Sequence, residues 1–320
     1  MRVVIHVGLH KTATTFLQSR IFPRLPGTTF VHPHHRPQPD DGPIERFVRE
    51  VFFRNAACVD VAAHSAAIER WIGALSSEPL LVSTEALVGL PIENHATLLS
   101  NATLLAKVFP DAKIVLVIRR QDSWVVSAYA QLLRAGLSTT IERYLNWDRT
   151  SETFGSFYPS VYNGPNVDAR DLAWERFDAL YREVFGSESV LTLPFELFKD
   201  DPGAFVGELC AFVGCDAAPS FDPEERVNER WGRLGILVAK AVNRVPMSVK
   251  IAIRDRLGKG WHPSEIINRV GGRLGLVRGA RGASQELEEP LRGRLMDLHR
   301  DGNRRLADRL GRDLGKWGYC

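Results

Sequence analysis

Residues 3–17 read VVIHVGLHKTATTFL. Val3, Val4, Ile5 and Val7 form an apolar, β-branched run that stops at Gly8. A polar turn follows over residues 10–15, and then Phe16, Leu17, Ile21 and Phe22 recur at helical spacing. The order strand, polar turn, helix is the repeating unit of open parallel sheets. A turn of this kind aims several backbone N–H groups and a helix N-terminus at one point, where partial positive charge favours an anion. Lys11 adds a full charge, and the hydroxyls of Thr12, Thr14 and Thr15 are suited to capping the helix or donating to anionic oxygens. The plainer alternative is an ordinary capped turn whose threonines serve the helix. A nucleotide triphosphatase is disfavoured, because GxxxxGK[ST] places its lysine after a second glycine whereas Lys11 follows Gly8 by three positions.

Working outward, four more short apolar runs occupy residues 28–31, 80–83, 114–118 and 190–193, separated by helical patterns. Their near-continuous apolarity, without alternation, belongs to strands covered on both faces. The chain is therefore expected to be α/β, with a three-layer, doubly wound parallel sheet of about five strands flanked by helices. Binding sites in such sheets lie at the carboxyl ends of the strands. Helical faces are read at Leu98, Leu99, Ala102, Leu105 and Ala106, and at Trp174, Phe177, Leu180, Tyr181 and Val184. Another helix should start near Pro202 and stop before Gly214. The run HPHHRPQPDDGP at residues 32–43 is a loop, and its histidines lack the fixed geometry a metal site needs. Leucines from Leu287 to Leu314 mark one or two closing helices that pack back on the sheet. We read residues 1–320 as one domain, with an α/β core over 1–230 and a basic, mainly helical region over 231–320.

The composition is that of a globular protein, with 44% hydrophobic and 25% charged residues and a net charge of +3. No run approaches the roughly eighteen apolar residues of a membrane span. The opening residues read as structure and show no cleavable leader, which implies a cytoplasmic protein. Cys58, Cys210, Cys215 and Cys320 lack metal-ligand spacing and are expected to be reduced thiols, with no metal bound. Residues 240–281 carry ten Lys/Arg against Asp255 and Glu265. This stretch is either a solvated helical face or a peripheral contact with an anionic surface. Nucleic acid is not expected as a partner, since no binding motif accompanies the charge. The oligomeric state is not legible.

A second anchor follows the strand KIVLVIRR, which ends in Arg119 and Arg120. A magnesium-dependent phosphotransferase commonly carries an acidic ligand at this strand end. Arg119 instead offers a planar fork matched to phosphate oxygens, with Ser127 eight residues on. The run LLVSTEAL at residues 80–87 delivers Glu85 just beyond a strand end, a position from which a carboxylate can act as a general base. His10, beside Lys11, is the reserve base, and a carboxylate that merely caps or pairs at the next helix is the alternative for Glu85.

Residues 11–15 resemble the 5'-phosphosulfate loop of the sulfotransferase family, and Arg119 with Ser127 is similar to that family's 3'-phosphate motif. The likeness continues through LPFELFKDDP and NRRLADRLGRDL, the latter similar to bacterial carbohydrate sulfotransferases. The resemblance implies a P-loop-like sulfotransferase fold. It also implies 3'-phosphoadenosine 5'-phosphosulfate (PAPS) as co-substrate, adenosine 3',5'-bisphosphate as product, no metal, and a glycan or other small hydroxylated acceptor. Lys11 would then neutralise the leaving oxygen, with Thr12, Ala13, Thr14, Thr15, Arg119 and Ser127 around the nucleotide. By the same likeness, Asn228 and Trp231 lie near the nucleotide and residues 279–282 form a late loop over the 3'-phosphate. Ala13 departs from the family's usual glycine, so the loop is expected to avoid any backbone conformation that needs one. Arg120 and Gln121 also replace the family's acidic residue and proline. The rival functions are a small-molecule kinase with a degenerate phosphate loop, in which Glu85 would help hold magnesium, and a non-catalytic nucleotide-binding protein.

Overall fold

Seven strands form among the described residues: β1 Val3–Gly8, β2 Thr29–Val31, β3 Leu80–Ser83, β4 Lys113–Ile118, β5 Trp147–Asp148, β6 Thr153–Phe154 and β7 Val190–Pro194. The computed structural model describes residues 2–34, 37–75, 79–137, 139–155, 166–215, 217–222, 233–244 and 287–320. The helices are α1 Thr14–Phe16, α2 Pro43–Phe53, α3 Val61–Ile72, α4 Leu98–Val108, α5 Gln121–Arg134, α6 Ile141–Tyr144, α7 Trp174–Phe185, α8 Phe195–Asp200, α9 Pro202–Val213, α10 Arg233–Asn243 and α11 Glu289–Leu310. They divide into two compact units. One comprises Met1–Arg120, Ala173–Glu225 and Asp301–Cys320, the other Gln121–Leu172 and Arg226–Arg300.

The first unit contains the sheet, in the order β2-β3-β1-β4-β7 with every neighbouring pair parallel. All five apolar runs read from the sequence are strands of this sheet. Every residue of β1 and β3 is buried, as strands covered on both faces require. From β1 the chain passes to one side of the sheet, toward β2, and from β4 to the other, toward β7. The carboxyl ends of β1 and β4 therefore flank the topological switch point, where ligands bind in open parallel sheets. The β1–β4 register slips between His6 and Gly8, a bulge that re-aims the chain as it leaves the strand.

Two helices show how local chemistry sets the covering layers. At α9, the Asp201 carboxylate accepts from the Ala204 N–H at 2.8 Å, Pro202 opens the helix, and Gly214 closes it at φ 87°, matching the expected start and stop. At α4 the expected face is turned: Leu99 is exposed while Asn101 and Leu104 are buried. Asn101 tolerates burial because its amide donates to the Leu87 carbonyl at 3.2 Å and to Thr97 Oγ1 at 3.1 Å. The closing leucines from Leu291 to Leu310 lie on a single helix, α11, with Leu287 and Leu314 just outside it, and within the first unit its Arg309 pairs with the buried Asp178 of α7 at 2.7 Å.

The second unit holds α5, α6, α10 and the antiparallel β5–β6 pair. Asn243, at the end of α10, donates to the carbonyls of Leu133 and Leu137 at 2.8 and 3.1 Å. His299 donates from Nε2 to the Ala169 carbonyl at 2.8 Å. Within the described residues no helix is long and apolar enough to cross a membrane.

Candidate active site

The turn after β1 is held from beneath. The Leu9 N–H donates to the Val117 carbonyl of β4 at 2.8 Å. The Leu9 carbonyl accepts from Thr12 Oγ1 at 2.6 Å and Thr14 Oγ1 at 3.1 Å. Both threonines are buried, so their hydroxyl protons fix the loop and do not face an anion. Thr15 is exposed and its carbonyl accepts from Ser19 Oγ at 2.7 Å. Two of the three threonine hydroxyls read as anion donors thus build the turn.

The backbone supplies the anion-attracting groups instead. Lys11 has φ 69° and Ala13 φ 64°, while the residues between and after them keep negative φ. Left- and right-handed residues in alternation point successive N–H groups into one concavity, a nest for anionic oxygen. Among the described residues no carbonyl or capping side chain accepts from the N–H of Thr12 or Ala13. The expectation that Ala13 avoids the left-handed region is therefore corrected: the nest imposes that conformation on an alanine, at a cost of about 1–2 kcal/mol. The regular helix that follows is only three residues long and passes into a π-helical turn, Leu17–Ile21, so nest amides outweigh any helix dipole here.

Arg119 leaves β4 beside this loop and is buried. Its Nη1 donates to the Lys11 carbonyl at 2.8 Å, and its guanidinium lies 4.8 Å from the centre of the Phe195 ring. Trp174 Nε1 donates to the Arg119 carbonyl at 2.7 Å. The two anchors read separately from the sequence are thus joined by a hydrogen bond. Arg120, the departure noted next to it, is fastened by Nη1 to the Trp317 carbonyl at 2.8 Å, and its N–H donates to Glu196 Oε1 at 3.3 Å.

Glu85 opens a short 3₁₀ turn, Glu85–Val88, directly after β3. A Cβ on Gly8 would stand 3.1 Å from the Cβ of Glu85, so only glycine lets this residue pack against the start of the loop. Thr84 caps the turn through the Ala86 N–H at 3.4 Å, which leaves the Glu85 carboxylate out of the capping role. Its Oε2 accepts from Gln18 Nε2 at 3.2 Å. The same Gln18 amide reaches Ser83 Oγ at 3.1 Å, and Ser83 Oγ lies 2.8 Å from His6 Nδ1. His6 is fully buried opposite Ser83 in the β1–β3 register. Burial drives its pKa down to about 4, opposed by the Glu85 charge and assisted by His32. His32 donates from Nδ1 to the Ser83 carbonyl at 2.9 Å.

Sequence reasoning did not single out Gln18 or the part played by His6. The one local signal was a histidine interrupting an apolar strand. His10 is half-buried, its ring 6.4 Å from that of His95, which hydrogen-bonds through Nδ1 to the Val88 and Gly89 carbonyls at 3.0 and 3.1 Å. Ser127 lies on the second turn of α5, half-buried, in the second unit. Asn228, Trp231 and residues 279–282 fall outside the described residues, as does the basic stretch beyond residue 244. All four cysteines are free thiols, and the described residues hold no cluster of three or more metal-ligating side chains.

The central strand of a parallel α/β sheet thus opens into an amide nest, with a buried arginine at the end of β4 and a carboxylate just after β3. The profile of the sulfotransferase family matches residues 4–219, and the chain belongs to that family. A solved sulfotransferase from Alicyclobacillus acidocaldarius is similar in fold, with a TM-score of 0.52 and 16% identity over 99% of each chain. No curated protein sequence matches significantly. Family membership sets aside the kinase reading.

Proposed function

We propose that the protein transfers the sulfuryl group of PAPS to a hydroxyl of a carbohydrate or similar small acceptor. One observation carries this reading: the open amides of the loop are bordered by Glu85 on the β3 side and Arg119 on the β4 side. In-line transfer forms a bond from the acceptor oxygen to sulfur as the bond from sulfur to the bridging phosphate oxygen breaks. The electron pair leaves with adenosine 3',5'-bisphosphate, and the acceptor proton passes to the Glu85 carboxylate. Charge spreads over the non-bridging oxygens in such a transition state, so fixed positive groups do most of the work. The nest amides and Lys11 serve that role, and Arg119 holds the loop and the nucleotide phosphate. His10 stands in reserve. No metal takes part in this scheme. A cytoplasmic location is part of this proposal, and four free thiols suit a reducing compartment.

Two measurements test the proposal. Adenosine 3',5'-bisphosphate is expected to protect the protein against thermal unfolding in the presence of a chelator. In single-turnover reactions, radiolabelled PAPS is expected to label a member of a panel of mono- and oligosaccharides. Protection without any labelled product favours the non-catalytic alternative; no protection removes the nucleotide site itself.

A further inference from the structure

The carboxylate assigned as base is held by a side chain that comes from the helix after the phosphate loop. Gln18 lies in the π-helical turn Leu17–Ile21, half-buried, and its single amide nitrogen spans three acceptors. These are Glu85 Oε2 at 3.2 Å, Ser83 Oγ at 3.1 Å and the Ser83 carbonyl at 3.4 Å. A π turn adds a residue to the helix and rotates the side chains that follow, and such turns concentrate at functional sites. Ser83 and His6 are both fully buried, at 0% exposure. With Gln18 donating to Ser83 Oγ, a Ser83 hydroxyl that donates in turn to His6 Nδ1 continues the chain from Gln18 to the ring. The His6 proton then sits on Nε2, which has no hydrogen-bond partner among the described residues.

We propose that Gln18 is a positioning residue for the transfer reaction, clamping the Glu85 carboxylate by one oxygen against a rigid Ser83–His6 base so that the other oxygen faces the acceptor hydroxyl. The inference rests on the reading of Glu85 as the general base. It explains why a neutral histidine is buried at the end of the central strand: neutral His6 accepts from Ser83, and protonation would turn that acceptor into a competing donor. A link from the phosphate-loop helix to the base also couples the placement of donor and acceptor halves of the site. Geometry errors of about 1 Å in such a site lower rates on the order of a hundredfold.

The test compares two acceptors, methyl glucoside and p-nitrophenolate. The sugar alcohol needs a base, whereas the phenolate arrives already deprotonated. Gln18→Leu removes the donor, and Gln18→Glu keeps the size but sets a second carboxylate against Glu85. Both variants are expected to lower kcat for methyl glucoside roughly ten- to a hundredfold, Gln18→Glu the more severely, leaving the donor KM and the rate with p-nitrophenolate within about twofold of the parent. Glu85→Gln should show the same acceptor split at a larger amplitude. If Glu85→Gln retains full sugar sulfation, the reading of Glu85 fails. If Glu85→Gln is impaired while both Gln18 variants match the parent, the clamp alone is overturned. Crystal structures of the Gln18 variants give a readout independent of turnover: an unmoved Glu85 carboxylate in both would also overturn it, and a rotated one supports it.

Discussion

Helices α9 and α1 begin at opposite extremes of local order. At α9 every local rule agrees: an aspartate caps, a proline opens, and a left-handed glycine at φ 87° closes. At the loop before α1 the same rules are broken. Two residues with side chains, Lys11 and Ala13, take left-handed backbone, no side chain caps the helix, and the amides of Thr12 and Ala13 have no acceptor among the described residues. The first junction minimises free energy locally. The second stores strain and open donors where an anion can relieve them, a pattern expected at sites under functional constraint.

The most direct way to break this contrast is Lys11→Ala. The residue lies in the strained loop and is half-buried, so its removal should leave the unfolding midpoint nearly unchanged while lowering transfer at least a hundredfold, the scale on which a stabilising charge or donor acts in a transition state. A variant of near-normal activity would mean that the loop's strain serves something other than catalysis. Arg119→Ala comes next. It removes a charged hydrogen bond to the Lys11 carbonyl, worth about 1.5–3 kcal/mol, and should raise the dissociation constant for adenosine 3',5'-bisphosphate about ten- to a hundredfold. Unchanged affinity by calorimetry would remove the nucleotide role assigned to this arginine.

The contrast also explains what could be read from the sequence. All five sheet strands and the ends of α9 were legible because β-branched runs, Pro202 and Gly214 obey local preferences that the fold then respects. The backbone at Ala13 was not legible, because a nest, not the alanine, dictates it. Nor was the rotation of α4: periodicity finds a face, but the burial of Asn101 depends on carbonyl and hydroxyl partners supplied by Leu87 and Thr97. Lys11, Glu85 and Arg119 could be singled out because each follows a recognisable strand. The link from Gln18 through Ser83 to His6 escaped because register, not sequence proximity, assembles it.

Proton linkage sharpens the comparison further. Burial lowers both His6 and His95 to about 4 from an ordinary 6.5. Between those values the unfolded chain binds protons that the native protein does not, so stability rises with pH across that window and is lost on acidification. Each histidine contributes a slope of up to about 1.4 kcal/mol per pH unit. Urea unfolding at pH 7, 6 and 5 should show the midpoint falling, and His6→Gln or His95→Gln should each reduce the fall. A pH-independent midpoint over that range would mean that neither ring is buried neutral.

The smallest expected effect is the most specific to the two junctions. Ala13→Gly relieves left-handed strain and should stabilise the protein by about 1 kcal/mol, even though glycine enlarges the unfolded ensemble. Gly214→Ala imposes the same strain on α9 and presses a Cβ against the Arg2 guanidinium, whose Nη1 bonds the Val213 carbonyl at 3.0 Å; it should destabilise by about 1 kcal/mol or more. The activity readouts should then diverge. Gly214→Ala should leave kcat unchanged, because α9 carries no site residue. Ala13→Gly should weaken binding of adenosine 3',5'-bisphosphate a few-fold, since a flexible glycine must be ordered each time the nest closes on an anion. Tighter binding by the glycine variant would mean that the alanine is mere strain and that the nest is not preorganised.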